Sequence, residues 1–195
     1  MKCSEYKKEL KNIKPGDAIL FSGKGILSDL IKFFDDCKYS HIGIVDVDSK
    51  TGELIILQMW GNDLLSDSIK GFLISPLSRM MEAYTDYAIV KVDKSDFEKE
   101  KALIYLHFLW DKGVLYDTKL LFKIAFFKWT NKNCKWISKF IKPEKQILDQ
   151  NTLICYELFW EYISQMGIKD FDNEQDGIVT GWTVINKFKK GKIIE

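Results

Sequence analysis

Histidine is scarce in this sequence: His41 and His107 are the only two in 195 residues. The four Cys, at positions 3, 37, 134 and 155, form no CxxC pair and no zinc-type spacing with them, so no metal site is expected. Unpaired Cys suit free thiols in a reducing compartment. Residues 1–14 carry charges throughout with no apolar stretch of the secretory kind, and no run approaches the roughly 20 apolar residues of a membrane span. A cytoplasmic protein is the expectation. There is no internal repeat and no low-complexity linker, and with 3 Pro and 12 Gly the chain is not of a disordered or collagen-like kind. A net charge of only +1 gives no reason to expect a nucleic-acid partner, because such binding rests on an excess of Lys and Arg over phosphates.

What is present is the balance of a globular protein, 46% hydrophobic and 29% charged, enough for one domain over residues 1–195. The charge is uneven. Residues 119–145 hold eight Lys against the single acid Glu144, a local +7 that leaves −6 for the rest. The composition turns to Lys and aromatics near residue 112, which marks a helical insertion at about 113–150. There Leu120, Leu121, Phe122, Ile124, Phe126, Phe127, Trp129, Trp136 and Phe140 interleave with Lys. Two arrangements fit: a lobe whose aromatics pack on the core while its Lys face water, or a peripheral contact of 119–145 with anionic lipid.

Pro15-Gly16-Asp17 reads as a turn before a short buried strand, Ala18–Ser22, and Gly23-Lys24-Gly25 as a turn into a helix over 26–34, too short for a phosphate loop. His41–Val47 reads as a strand, apolar at Ile42 and Ile44 and then, after a drift of register, at Val45 and Val47. Residues 48–52 are a turn and Glu53–Trp60 the return strand of a hairpin. Ala88–Val92 is another strand. Asp96–Trp110 is a helix capped by Ser95 or Asp96, with Leu103, Leu106, His107 and Trp110 along one face. A second helix, capped by Asn151 or Thr152, runs to Gln165 and ends at Gly167.

His107, inside a helix, reads as a hydrogen-bonded structural residue. His41 stands at the start of a strand after the polar Tyr39-Ser40, where an imidazole can project toward a partner. Among the Cys, Cys155 sits about three residues beyond its helix cap, where unpaired N–H groups and the helix dipole favour a thiolate and hold an oxyanion. That position should lower a thiol from about 8.5 by a unit or more. The alternative is a small buried hydrophobe. Cys3 lies near a chain end, Cys37 follows two acids and Cys134 lies among Lys. An imidazole that takes the thiol proton needs a third group on its other nitrogen. The strand next to the His strand supplies Gln58, with Glu53 as alternative or as a solvated turn residue.

Four blocks then stand in order: Lys14-Pro15-Gly16-Asp17-Ala18-Ile19-Leu20-Phe21, Tyr39-Ser40-His41-Ile42-Gly43-Ile44-Val45, Gly113-Val114-Leu115-Tyr116-Asp117 and Cys155-Tyr156-Glu157-Leu158-Phe159-Trp160. With an echo at Val179-Thr180-Gly181, they resemble, over about residues 14 to 185, the circularly permuted NlpC-like (YiiX-like) papain-fold cysteine peptidases and amidases. The resemblance implies an α+β fold in which an antiparallel sheet or barrel bearing His41 packs against the helix bearing Cys155. It implies hydrolysis of an amide, often in cell-wall peptides, through a thioester and without cofactor, with Cys155 as nucleophile, His41 as base and Gln58 as orienting residue. Backbone N–H groups of Cys155 and Tyr156 would form the oxyanion hole, and Tyr39, Tyr116 and Asp117 would line the substrate cleft, Asp117 receiving an amine or simply capping a helix. Acyl transfer or ester cleavage on lipids is known in relatives, and a fold kept as a binding module is the non-enzymatic alternative. The sequence departs from the family at Gln58 (usually Glu), Tyr156 (usually Ser) and Gly181 (usually Pro).

Overall fold

The computed structural model describes residues 12–60, 71–84, 86–133, 152–168, 184 and 193–194. Cys3, Cys134, Trp136, Phe140 and Val179–Gly181 lie outside them. In chain order the elements are β1 Ala18–Phe21, α1 Ile26–Asp35, β2 His41–Val47, β3 Leu54–Trp60, β4 Gly71–Pro76, α2 Leu77–Ala83, β5 Tyr87–Val90, α3 Asp96–Asp111, β6 Leu115–Tyr116, α4 Thr118–Asn133, β7 Thr152–Leu153, α5 Cys155–Gln165 and β8 Ile193–Ile194. The main sheet is antiparallel, in the order β4-β3-β2-β1-β5-β8, and β6 and β7 form a separate parallel pair.

Strand alternation sorts the sheet into two layers. Ala18, Leu20, Ile42, Ile44, Leu57, Met59, Ala88 and Val90 face a core completed by Leu103, Leu106 and Leu109 of α3 and by Leu158, Phe159, Tyr162 and Ile163 of α5. Ile19, Phe21, Val45, Ile56 and Ile89 face the other way, onto Ile13 and the Leu77, Met80 and Met81 side of α2. Because both faces of β2 are covered, its apolar residues at 42, 44 and 45 need no drift of register. The strand runs without a bulge, and the change of parity in its pattern marks a central strand. Each large side chain buried in these layers contributes roughly 1.5–3 kcal/mol.

The Pro15-Gly16-Asp17 turn is held from three sides. Gly16, at φ 85°, donates its N–H to Val45 O (2.8 Å) and its carbonyl accepts from the Tyr162 hydroxyl (2.9 Å). The buried Asp17 carboxylate accepts from the Lys14 N–H (2.8 Å) and from Lys91 Nζ (2.6 Å). At Gly43 a Cβ would stand 2.6 Å from the Ile56 side chain, which fills the space that a larger residue would need.

Two expectations are corrected, and one segment gains structure that the sequence does not suggest. Thr152 does not cap a helix: with Leu153 it pairs with Leu115–Tyr116, and α5 begins at Cys155 after Ile154. The pairing of β6 with β7, and the Asp117 N–H donated to Leu153 O, claim the backbone that a helix would have used. Trp110 does not lie on the buried face of α3: it is 45% exposed, while Ala102, Leu103, Leu106 and Leu109 make the inward stripe. Gly71–Ala83, to which the sequence reading assigns nothing, forms β4 and α2. Ser95 caps α3 in a reciprocal pair with Glu98, as one of the two expected caps. Among the described residues no helix is long and apolar enough to cross a membrane.

Tyr162→Phe removes the hydroxyl that the buried Gly16 carbonyl needs, and a loss of about 1–2 kcal/mol is expected. Urea unfolding should show a lower midpoint at unchanged slope.

Candidate active site

The first residue of β2 places His41 opposite Phe21 of β1. Its ring lies 6.2 Å from that of Phe21 and meets Trp60 edge-on at 5.6 Å. Gln58, on β3 opposite Gly43, is on the same side of the sheet, and its Oε1 is 2.7 Å from His41 Nε2. The amide orientation follows from its other end. Gln58 Nε2 faces two acceptors, Ser75 Oγ at 3.3 Å and Met80 Sδ at 3.5 Å, so Oε1 is the atom turned to the imidazole. An amide oxygen only accepts, so His41 Nε2 must carry the hydrogen, which leaves Nδ1 with a lone pair. Burial holds the imidazole down at about 4, and the Gln58 hydrogen bond opposes this only in part. The ring is therefore neutral near pH 7.

Cys155 opens α5 and is 3% exposed, within the layer that holds Leu20 and Ile42. Burial pushes its thiol up to about 12, although the N–H groups of Ile42, Tyr156 and Cys155 itself favour the thiolate; the Glu157 charge adds to the rise. The expected lowering by the helix N-terminus is thus overturned, because removing a thiolate from water costs more than a few backbone N–H groups return. Ile42 directly follows His41, so the sulfur lies against the strand backbone one residue from the imidazole. The two side chains enter from different layers, and no hydrogen bond joins the thiol to the ring in this state. His41 and Gln58 are brought together directly; Cys155 is brought to the strand that carries His41.

The other expected residues divide. Glu53 is exposed beside its turn and is the solvated residue of the two candidates. Tyr39 is buried, its carbonyl accepting from the Tyr156 hydroxyl at 3.4 Å, so it packs in the core and lines no open cleft. Tyr116 is partly buried against the α4 and α5 cores, and burial raises its hydroxyl well above the usual range. Asp117 caps α4: Oδ1 accepts from the Leu120 N–H at 2.7 Å and Oδ2 from the Thr152 hydroxyl at 3.3 Å. The cap is therefore the role that the hydrogen bonds of Asp117 show. His107 is structural in the expected way, with Nε2 2.7 Å from Asp46 Oδ2, tying α3 to β2.

Sequence reasoning passes over Trp60, Ser75 and Met80, which frame His41 and Gln58. It also passes over the role of Glu157, whose carboxylate accepts from the Ile154 N–H at 2.9 Å and is pushed up to about 7 by burial. The signal for Glu157 is its place three residues after the cap of α5; nothing local marks the other three.

No known protein family matches this sequence, and no curated protein matches it. Among solved structures the chain is similar to the metalloprotein yiiX from Escherichia coli O157:H7, with a TM-score of 0.60 and 13% identity over 93% of this chain and 96% of that one. The chain therefore has a YiiX-like α+β fold. The metal in that description belongs to that protein: among the described residues here, no group of three or more His, Cys, Asp or Glu could hold an ion.

The Nε2–H tautomer has a direct readout. In long-range ¹H–¹⁵N spectra, His41 should stay neutral with Nδ1 unprotonated until the pH falls to about 4. A midpoint near the ordinary 6.5 would mean that the ring is solvated and not enclosed by Phe21 and Trp60.

Proposed function

We propose that this protein is a papain-type cysteine hydrolase in circularly permuted order, cleaving an amide bond through a thioester on Cys155. The observation that carries the reading is the His41–Gln58 pair. Its geometry leaves one imidazole nitrogen free as a base at the residue next to Ile42, whose N–H favours the Cys155 thiolate. The resemblance of the four sequence blocks to cell-wall peptidases supports a peptide amide as substrate.

In this scheme substrate binding has to bring the thiol and the imidazole together around the end of β2, because they enter from different layers, and His41 Nδ1 takes the thiol proton as Sγ attacks the substrate carbonyl carbon. The oxyanion is met by the N–H groups of Cys155 and Tyr156 at the open start of α5. The intermediate then collapses, the C–N bond breaks, and His41 returns its proton to the departing amine. Water enters with its proton passing to Nδ1; the thioester C–S bond breaks to give a carboxylic acid and the restored thiol. With the thiol at about 12 and the imidazole at about 4, both groups rest neutral, so proton transfer accompanies attack and does not precede it. Gln58 orients the ring but adds no charge to stabilise the imidazolium.

A second reading, ester cleavage or acyl transfer on lipids, is favoured by one feature: Leu120, Leu121 and Ile124 of the Lys-rich α4 pack on Ile154, the residue before Cys155.

Peptide amides with a chromogenic leaving group, followed by intact-mass detection of the acyl-enzyme, test the reading. Cys155→Ala and His41→Ala should each lose at least about a thousandfold in kcat/KM, and Gln58→Leu about ten- to a hundredfold through misorientation of the ring. Activity retained by Cys155→Ala, or wild-type protein that never carries an acyl group, would leave a binding module. The pH profile separates the neutral pair from a preformed ion pair. Protonation of His41 removes the base, so kcat/KM should fall as the pH drops through about 4 and show no loss on the alkaline side near the ordinary thiol range. Gln58→Glu places a carboxylate on Nε2 and should move the acid limb upward.

A further inference from the structure

We infer that Glu157 is a positioning residue for Cys155: its carboxylate anchors the start of α5 by the Ile154 N–H, so that the N–H groups of Cys155 and Tyr156 stay directed at the sulfur and at an oxyanion. The inference rests on the hydrolase reading and deepens it. Two helices of this chain begin in different ways. At α3, Ser95 Oγ accepts from the Glu98 N–H at 3.3 Å while the Glu98 carboxylate accepts from the Ser95 N–H at 3.1 Å, the complete reciprocal cap. At α5 the cap residue is Ile154, whose side chain has no acceptor. Only the return half forms there: Glu157 accepts from the Ile154 N–H at 2.9 Å. A Ser or Asp at this cap would turn its oxygen onto the N–H of Tyr156 or Glu157 and so compete with an oxyanion. The apolar cap leaves that side open, and the carboxylate holds the helix start from the other.

The hold has two ends. The peptide that joins Leu153 to Ile154 gives its N–H to Glu157, and its carbonyl accepts from the Asp117 N–H at 3.0 Å. In the next peptide the Ile154 carbonyl accepts from the Leu158 N–H at 3.0 Å, and the Cys155 N–H is left to favour the thiolate. Without Glu157 the first of these peptides would be held at its carbonyl alone. Among the described residues the charges that act on Glu157 are like its own: Asp117, between β6 and α4, and Glu161, one turn along α5 and bonded to the Tyr105 hydroxyl of α3 at 3.3 Å. Tyr116 and Cys155, which ionise only at higher pH, complete its surroundings. Burial first, and then these two carboxylates, push Glu157 up to about 7 against the Ile154 hydrogen bond. The anchor therefore changes charge where it can be followed.

Backbone amide spectra of the full chain, read together with hydrolysis of chromogenic peptide amides, test this. In the wild type the Ile154 amide proton should move downfield as the pH rises through about 7, because the hydrogen bond gains charge as the carboxylate forms. Glu157→Gln keeps an acceptor: it should lose that movement and hold kcat within about threefold of wild type. Glu157→Leu removes the acceptor, so exchange of the Ile154 amide should quicken at least about tenfold and kcat should fall about ten- to a hundredfold at nearly unchanged KM. A wild-type Ile154 amide that is blind to pH around 7 would overturn the inference. So would a folded Glu157→Leu protein with the kcat of the wild type, which would leave the carboxyl as a helix cap and nothing more. If Glu157→Leu does not fold, Glu157→Gln decides with the wild-type titration, and a Gln variant as inactive as Cys155→Ala would overturn the inference by making charge, and not the hold, the requirement. A wild type that hydrolyses no amide would sink the hydrolase reading by itself, and the Ile154 amide would then decide whether Glu157 holds the start of α5.

Discussion

A carboxamide sealed inside a sheet must find partners for both ends, and Gln58, at 1% exposure, has them on opposite sides. Its nitrogen is taken by Ser75 and Met80 and its oxygen by His41. Leaving either end unsatisfied would cost about 1–3 kcal/mol, so the orientation of the amide and the tautomer of the imidazole are set together. Elements remote from the catalytic candidates therefore bear on the chemistry. Strand β4 supplies Ser75 and helix α2 supplies Met80.

A second balance concerns charge. The start of a helix favours an anion by a fraction of a kcal/mol to about 2 kcal/mol, whereas burial of an ionised thiol opposes it over several pH units. At Cys155 burial wins, and at His41 burial also wins against a single amide hydrogen bond. The two groups are thus both neutral for the same reason. A carboxylate in place of Gln58 would raise the imidazole; the neutral amide leaves it low.

Much of this frame could be read from the sequence, and the reasons differ from residue to residue. Strands β1, β2 and β3 are marked by β-branched residues between turn residues, and α3 by Ser95 with Glu98. Gln58 could be named because the group on the far nitrogen of His41 has to come from the strand hydrogen-bonded to β2. Other features are set by distant pairing and have no local sign. Two-residue β6 and β7 exist only because Leu115–Tyr116 and Thr152–Leu153 meet in space, and that meeting removes the helix cap that Thr152 suggests. The thiol departs from its sequence expectation for a similar reason: a helix terminus shows in sequence, but the depth at which it is buried does not.

The two halves of the chain are joined by the turn at Pro15-Gly16-Asp17 more than by any catalytic candidate. Tyr162, two turns along α5 from Cys155, donates to Gly16 O, and the Gly16 N–H in turn bonds Val45 on β2. The helix that carries the thiol and the strand that carries the imidazole are thus pinned to the same three residues, at a point away from both reactive atoms. Lys91 on the far side of β1 neutralises Asp17 and so keeps the turn closed in a buried setting. Blocks separated by more than a hundred residues are therefore tied together mechanically. A displacement of Gly16 would slide α5 along β2 and carry Cys155 away from the Ile42 N–H while leaving the His41–Gln58 pair intact, so a change in the turn alone would separate the thiol from the strand that carries the imidazole.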